Sequence, residues 1–286
     1  MRRSKSDYVI QTVTNALRLL EEFRYDQELG VTALAKRLGL HKNNVFRLLA
    51  TLEEMRFVEQ CAENDRYRLG TACLALGQAF SRTRSLTRLA RSVLEKLAQD
   101  TRETAHLAVL DGFEVVHLDG EAPNHLIGTR VRTGERLPVH ASALGKALLA
   151  CGDPTEWERV DREWIRGGAL TAATDATITD PHKFFEHLRL VAGMGFALDI
   201  EECALGLCCV AAPVRDANAC VVAALSVSAP VFRVGVDAMH EQLVPAVTRA
   251  AQELSRRLGA AATIWPTAPR SVPGTLFAAC MRAASA

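Results

Sequence analysis

The N-terminal stretch of the chain spaces its apolar residues with the period of amphipathic helices. Ile10, Val13, Leu17 and Leu20 fall on one face of a predicted helix from Ile10 to Phe23. Thr32 is placed to cap a short second helix carrying Leu34, Ala35 and Leu38, which Gly39 ends. A third helix runs from Lys42 to Met55, with Val45, Leu48, Leu49 and Leu52 on its apolar face. The opposite face carries Asn43, Arg47, Ala50 and Glu54, flanked by Asn44 and Phe46. Two helices across a glycine-containing turn, the second presenting amides and an arginine, make a helix-turn-helix pattern. Strand-like pieces follow at Phe57 to Cys61 and Arg66 to Leu69, and a hairpin in that place is a wing.

Beyond the wing, Thr71 to Phe80 reads as a linker helix that the run from Ser81 to Ser85 breaks. A longer helix then places Leu86, Leu89, Ala90, Val93, Leu94 and Leu97 on one stripe. Strands are predicted at Ala105 to Leu110 and Glu114 to Asp119, joined by the hairpin signal Asp111-Gly112, and at His125 to Val131. Ser142 precedes a helix of small residues, and Asp180 with Pro181 opens another that stops at Gly193 or Gly195. Further strands fall at Phe196 to Ile200, Leu207 to Pro213 and Val221 to Ser228. A final helix runs from Asp237 to Leu258, bent near Pro245. The expected class is α+β: a winged helix-turn-helix domain over 1–69, a linker helix over 70–84, a helix-packed antiparallel sheet over 85–260, and a mobile tail over 261–286.

Charge sharpens the first half of this picture. With 34 Lys+Arg against 33 Asp+Glu, any nucleic-acid contact has to come from a local patch. Such a patch exists: no acidic residue lies between Leu29 and Leu52, where Lys36, Arg37, Lys42 and Arg47 fall. Phosphate contacts need that local excess. Lys42, Asn43, Asn44 and Arg47 are the candidates for the groove, and Arg66 and Arg68 of the wing for backbone phosphates. Arg82, Arg84, Arg88 and Arg91 read as a solvated face.

Other classes are disfavoured. No apolar run approaches the roughly 18 residues of a membrane span, and the start lacks the apolar core of a signal peptide, so a cytoplasmic protein is expected. The eight cysteines show no Cys-x-x-Cys spacing, and no His-Glu-x-x-His occurs. Neither a metal site nor a disulfide framework nor a cofactor is expected, and the cysteines read as small buried hydrophobes.

Three segments carry a family resemblance: Leu137 to Ala150, Gly195 to Val214 and Ala223 to Pro230. In this order they resemble the signature motifs of IclR-type transcriptional regulators, and the resemblance runs from Val9 to Gly259. Phe196 stands where the family usually has tyrosine, Ala219 stands at its customary turn glycine, and Cys220 follows. The resemblance implies a winged DNA-binding domain and a GAF-like domain that binds a small organic or aromatic carboxylic acid. It also implies homodimers, paired into tetramers, on partly palindromic double-stranded operators of catabolic genes. Carried over residue by residue, the effector site uses Asp199, Cys209, Ser226 and Ser228, with the backbone amides of Ala143 and Leu144.

The chemistry of that set is coherent. Amides at a helix N-terminus attract a carboxylate, and serines two apart on a strand project to the same side. Arg130 or Arg132 is a candidate counter-charge, and the segment from Gly128 to Ser142 a candidate moving part. Competing readings are a thiol-dependent enzyme pairing Cys209 with His140, and a small-molecule sensor that does not touch DNA. No nucleophile elbow supports the first, Gly145-Lys146 is not a P-loop, and no catalytic residue is assigned.

Overall fold

Leu34, Val45 and Leu49 are fully buried, as the helical spacing requires, and they organise the N-terminal core. The structure is a computed structural model that describes residues 8–24, 26–83, 85–124, 128–160, 164 and 170–261. The chain divides into two units between Arg84 and Ser85.

The first unit contains helices α1 (Gln11–Glu22), α2 (Val31–Leu38) and α3 (Lys42–Glu54), then strands β1 (Val58–Gln60) and β2 (Tyr67–Leu69) and helix α4 (Thr71–Thr83). β1 and β2 pair antiparallel as the wing, and Leu29 bridges to Tyr67 beside them. Gly39 ends α2 with φ +66°, a conformation that favours glycine and sets the tight turn into α3. Three expectations need correction. Leu19 and Phe23 bury the inner face of α1, whereas Ile10, Val13 and Leu17 are exposed. The apolar stripe was therefore real but is not the face that meets α2 and α3. Gly30, not Thr32, occupies the N-cap of α2 and makes no side-chain cap. α4 continues through Ser81 to Thr83, because a run of serine and arginine lowers helix propensity without breaking a helix.

The second unit is a six-stranded, wholly antiparallel sheet between helices. Helix α5 (Ser85–Thr101) leads to β3 (Thr104–Asp111), β4 (Glu114–Glu121) and β5 (Arg136–Pro138). Helices α6 (Ala143–Cys151), α7 (Pro154–Arg159) and α8 (Pro181–Met194) follow, then β6 (Ala197–Ile200), β7 (Leu207–Arg215) and β8 (Val221–Pro230). The chain continues through α9 (Val236–Ala238) and a π-helical turn at Met239–Leu243 into α10 (Val244–Arg257). Strand order is β5-β4-β3-β8-β7-β6. The period-2 alternation assigns each strand residue to a face. Cys208, Val210, Ala212 and Val214 of β7, with Ala223, Leu225 and Val227 of β8, pack in the core that α5 and α10 share. Cys209, Ala211 and Ala224 face the other way, into the core of α6 and α8.

The sequence expectations depart from this in four places. Of the strand predicted from His125 to Val131, residues 125–127 lie outside the described residues, and 128–131 form no strand; pairing passes instead to β5, unpredicted because it is only three residues long. α7 was also unpredicted. Pro245 does not bend a continuous helix: it sits in the first turn of α10, where its missing N–H is harmless, after the π-helical turn. Arg91 is not merely solvated but pairs with Glu95, Asp119 and Glu121, tying α5 to β4. Residues 1–7, Arg84 and the tail from residue 262 onward lie outside the described residues.

Candidate functional site

Two candidate surfaces emerge, one exposed and one buried. In the first unit, Lys42, Asn43, Asn44 and Arg47 are all exposed on α3, with Ala50 and the ring of Phe46 beside them. His41 makes no side-chain cap to α3, so the first amides of that helix are not occupied by a capping side chain. Arg66 and Arg68 are exposed on the wing, but Arg68 is paired with Glu59 at 2.5 Å. The acid-free stretch is also less basic in three dimensions than in sequence, because Arg37 pairs with Asp26 at 2.7 Å and Glu22 at 3.5 Å. Those acids precede the stretch in sequence and reach it only through packing of α1 against α2.

In the second unit, the cavity is built at the N-terminus of α6. Ser142 caps the helix, its hydroxyl accepting from Gly145 N at 3.1 Å. A Cβ at Gly145 would lie 2.3 Å from the Val139 carbonyl oxygen, so only glycine lets α6 seat this closely. The strand register does the rest: Asp199 stands opposite Cys209, Cys209 opposite Ser228, and Ser228 opposite Thr104. One rung of the sheet therefore carries four polar side chains toward α6. Ala143, Leu144, Asp199, Cys209, Ser226 and Ser228 all line one narrow cavity of about 20 Å³, joined by His117, Arg132, Leu137, Cys203 and Leu207. Of the two arginines considered for a counter-charge, Arg132 lines the cavity while Arg130 is largely exposed and pairs with Glu135.

Burial sets the electrostatics. The Asp199 carboxyl is pushed up by desolvation and by the nearby Glu202, although Glu202 N and Cys203 N donate to Oδ1 at 2.9 and 3.2 Å. Glu202 is itself raised by burial and bonds Lys146 Nζ at 2.5 Å, a wholly buried ion pair between α6 and the β6–β7 hairpin. Desolvation lowers His106 to about 3 and His117 to about 4, so both rings are neutral at pH 7. Cys209 shares a hydrogen bond with Ser228 Oγ at 3.2 Å, and burial drives its thiol well upward. His140 donates to the Thr171 carbonyl at 2.9 Å, so the thiol–imidazole pair of an enzyme is not assembled here. Every cysteine among the described residues is free, and those residues contain no His/Cys/Asp/Glu group able to hold a metal ion. None of the described helices is long and apolar enough to cross a membrane.

Two family models match the chain: the IclR helix-turn-helix domain over residues 12–61 and the bacterial transcriptional regulator IclR C-terminal domain over residues 78–256. The chain belongs to the IclR family of transcriptional regulators. Among its relatives are the HTH-type transcriptional regulator BhcR of Paracoccus denitrificans, 35% identical over 86% of each chain, and the p-hydroxybenzoate hydroxylase transcriptional activator of Acinetobacter baylyi, 32% identical over 87% of this chain and 91% of the relative. Solved structures agree: an IclR transcriptional regulator from Alicyclobacillus acidocaldarius has a TM-score of 0.75 and 29% identity over 87% of this chain and 99% of its own. An IclR homologue from Microbacterium hydrocarbonoxydans, solved with 4-hydroxybenzoate, has a TM-score of 0.74 and 25% identity over 86% of this chain and 98% of its own. The protein is thus a DNA-binding transcriptional regulator and not an enzyme.

Sequence reasoning missed several parts of this regulator's cavity. His117 lay outside the family motifs, and Cys203, Leu207 and Lys146 lay inside them without being assigned to the site. One signal was available: counting by twos along β3 places His106 on the same face as Ala108, a residue of the α6 core.

Proposed function

We infer that this IclR-family protein is an effector-responsive regulator of a catabolic operon, acting in the cytoplasm and sensing a small organic or aromatic carboxylic acid. The observation that carries the reading is the convergence of Ala143, Leu144, Asp199, Cys209, Ser226 and Ser228 on one cavity at a buried helix N-terminus. The amides of Ala143 and Leu144 supply donors and the positive end of a helix dipole for a carboxylate. Ser226 and Ser228 supply hydroxyls that donate or accept, Cys209 a weakly polar wall, and Asp199 an acceptor whose raised pKa limits repulsion of an anion. Small-molecule pockets usually offer about 300–1,000 Å³, far more than this one, so effector entry displaces a wall. The segment from Gly128 to Ser142 is that wall: Arg132 and Leu137 line the cavity, while Thr129 anchors one end by donating to the Ser228 carbonyl at 3.1 Å.

On the DNA side, Lys42, Asn43, Asn44 and Arg47 enter the major groove, and Arg66 and Arg68 contact phosphates. The exposed N-terminal part of α3, which carries no acidic residue before Glu53, supports this assignment. The protein assembles as homodimers that pair into tetramers; the exposed apolar stripe Val9, Ile10, Val13 and Leu17 supports a covered face on α1. The boundaries 1–69, 70–84 and 85–260 complete the proposal. Effector binding shifts operator affinity only through its differential affinity for two arrangements of the dimer.

The test is a thermal-shift screen of catabolic acids followed by operator gel shifts. Ser226→Ala with Ser228→Ala abolishes the ligand-induced melting shift and leaves operator binding intact; a retained shift moves the effector elsewhere. Ala143→Pro removes one carboxylate donor at a first-turn position where proline is tolerated, and the extended Ser142 before it already suits a proline neighbour. It weakens every carboxylate.

A further inference from the structure

The cavity wall and the strand beside it hold buried polar atoms that no protein group completes. His106 stands opposite Ser226 in the β3–β8 register, so the two side chains rise on the same face of the sheet. His117 of β4 meets His106 edge to face, with ring centroids 5.3 Å apart at 84°. His106, His117 and Ser226 are all buried, at 1%, 2% and 1% exposure. Among the described residues, both nitrogens of His106, Nδ1 of His117 and Oγ of Ser226 have no hydrogen-bond partner. Buried polar groups are rarely left this way unless something else completes them. His117 and Ser226 line the cavity directly.

The protonation of these groups decides what they accept. Desolvation keeps both imidazoles neutral, and Arg132 opposes their protonation further. The Glu135 carbonyl accepts from the backbone N–H of His117 at 3.0 Å, and Nδ1 of the ring is left without a partner. A neutral ring nitrogen offers either a lone pair or an N–H, so Nδ1 calls for a group that can both donate and accept. A second carboxylate only accepts and brings its charge into a buried site, and a plain methyl or ring C–H leaves Nδ1 and Ser226 Oγ unsatisfied. A neutral hydroxyl meets both: its O–H donates to His117 Nδ1, and its oxygen accepts from Ser226.

Resting on the effector reading above, we propose that His117 and Ser226, backed by His106, form a hydroxyl-recognition site, so that the effector is a hydroxylated monocarboxylate selected over its unhydroxylated and dicarboxylate analogues. His117 touches the ligand hydroxyl; His106 is a positioning residue that holds the His117 ring. The device needs no charged partner, and Arg132, close enough to oppose protonation of both rings, is paired with Glu135 at 3.5 Å.

Isothermal titration of the full-length protein with two matched sets tests this: propionate, 3-hydroxypropionate and succinate, and benzoate, 4-hydroxybenzoate and terephthalate. In at least one set the hydroxy acid binds tighter than both analogues by about tenfold or more, the worth of one satisfied buried hydrogen bond. His117→Phe keeps the ring shape and removes Nδ1; it brings hydroxylated and plain acids to within about threefold of one another. His106→Phe lowers the preference less, and His106→Gln, which keeps a donor and an acceptor, restores it. Circular dichroism and the affinity for the plain acid report whether each variant is folded, and His117→Gln replaces His117→Phe if the latter is not. A preference that survives both His117 variants, or a dicarboxylate that binds best, overturns the proposal while acid binding that still falls with Ala143→Pro keeps the effector reading. Acid binding indifferent to Ala143→Pro, or absent in the wild type, overturns both.

Discussion

The two candidate surfaces use polar residues in opposite ways. On α3 and the wing, the polar groups face solvent, and two of the surrounding arginines already have acidic partners. Arg37 is held by Glu22 and Asp26, and Arg68 by Glu59. In the cavity, the polar groups are buried, and several have no partner at all among the described residues. The contrast follows from the partner each surface is built for. A duplex supplies many phosphates and base edges to groups that must be reachable, and water satisfies them meanwhile. A small ligand must instead be singled out by a few desolvated groups, whose unmet hydrogen bonds penalise the wrong molecule.

Ion pairs give the sharpest test of that contrast. Lys146→Met leaves Glu202 buried without its cation, and removing one partner of such a pair costs about 3–5 kcal/mol. Chemical denaturation reads the loss, and a change well below that range would mean that water or protonation of Glu202 screens the site. Arg37→Ala removes an exposed partner and changes stability far less, since exposed pairs are screened.

A second test uses acid. His106 and His117 titrate far below the ordinary histidine value of 6.5 in the folded protein. The unfolded chain takes up protons first as pH falls below 6.5, so stability contributed by the neutral rings is complete above 6.5 and is lost toward pH 4. The loss is of order 3 kcal/mol per ring by pH 4. Melting temperatures of wild type and of His106→Phe with His117→Phe therefore converge as pH falls if the wild type is otherwise the more stable, and the variant shows the flatter acid limb. Parallel curves would show that water reaches the rings.

On the DNA side, Arg47→Ala lowers operator affinity by about 1–3 kcal/mol if its guanidinium grips a guanine edge. Unchanged affinity and salt slope in gel shifts would take Arg47 out of the interface. The smallest effect concerns the β7–β8 turn. Ala219 adopts φ +66°, where a side chain is strained, so Ala219→Gly raises stability by about 1 kcal/mol without altering ligand affinity. A destabilised or unchanged variant would show that the turn tolerates alanine without strain.

Particular elements show how far the chain could be read in advance. α2 and α3, β7 and β8, the helix after Ser142 and the cap at Asp180 followed from local pattern, since each depends on residues within one or two turns of one another. The buried face of α1 did not. Its periodicity offered two apolar faces, and only the approach of α2 and α3 chose Leu19 and Phe23 over Val13 and Leu17. β5 was missed for a related reason, being three residues long and stable only by pairing with β4. The six cavity residues carried over from the family motifs share one cavity, but Lys146, inside a motif, was given no role there, and His106 and His117 stood outside the motifs.

Taken alone, the order of amino acids determined the helices that carry their own periodicity, the wing, the family, and the residue types available for binding. Tertiary structure decided which of those residues meet. Register across β3, β8, β7 and β6 lines Thr104, Ser228, Cys209 and Asp199 in one rung, and α6 lays its N-terminus over the sheet that bears them. The physical reason is that helix periodicity and capping act over a few residues, whereas desolvation and hydrogen-bond satisfaction depend on neighbours distant along the chain. His106 and Ser226 become one site only when two strands pair.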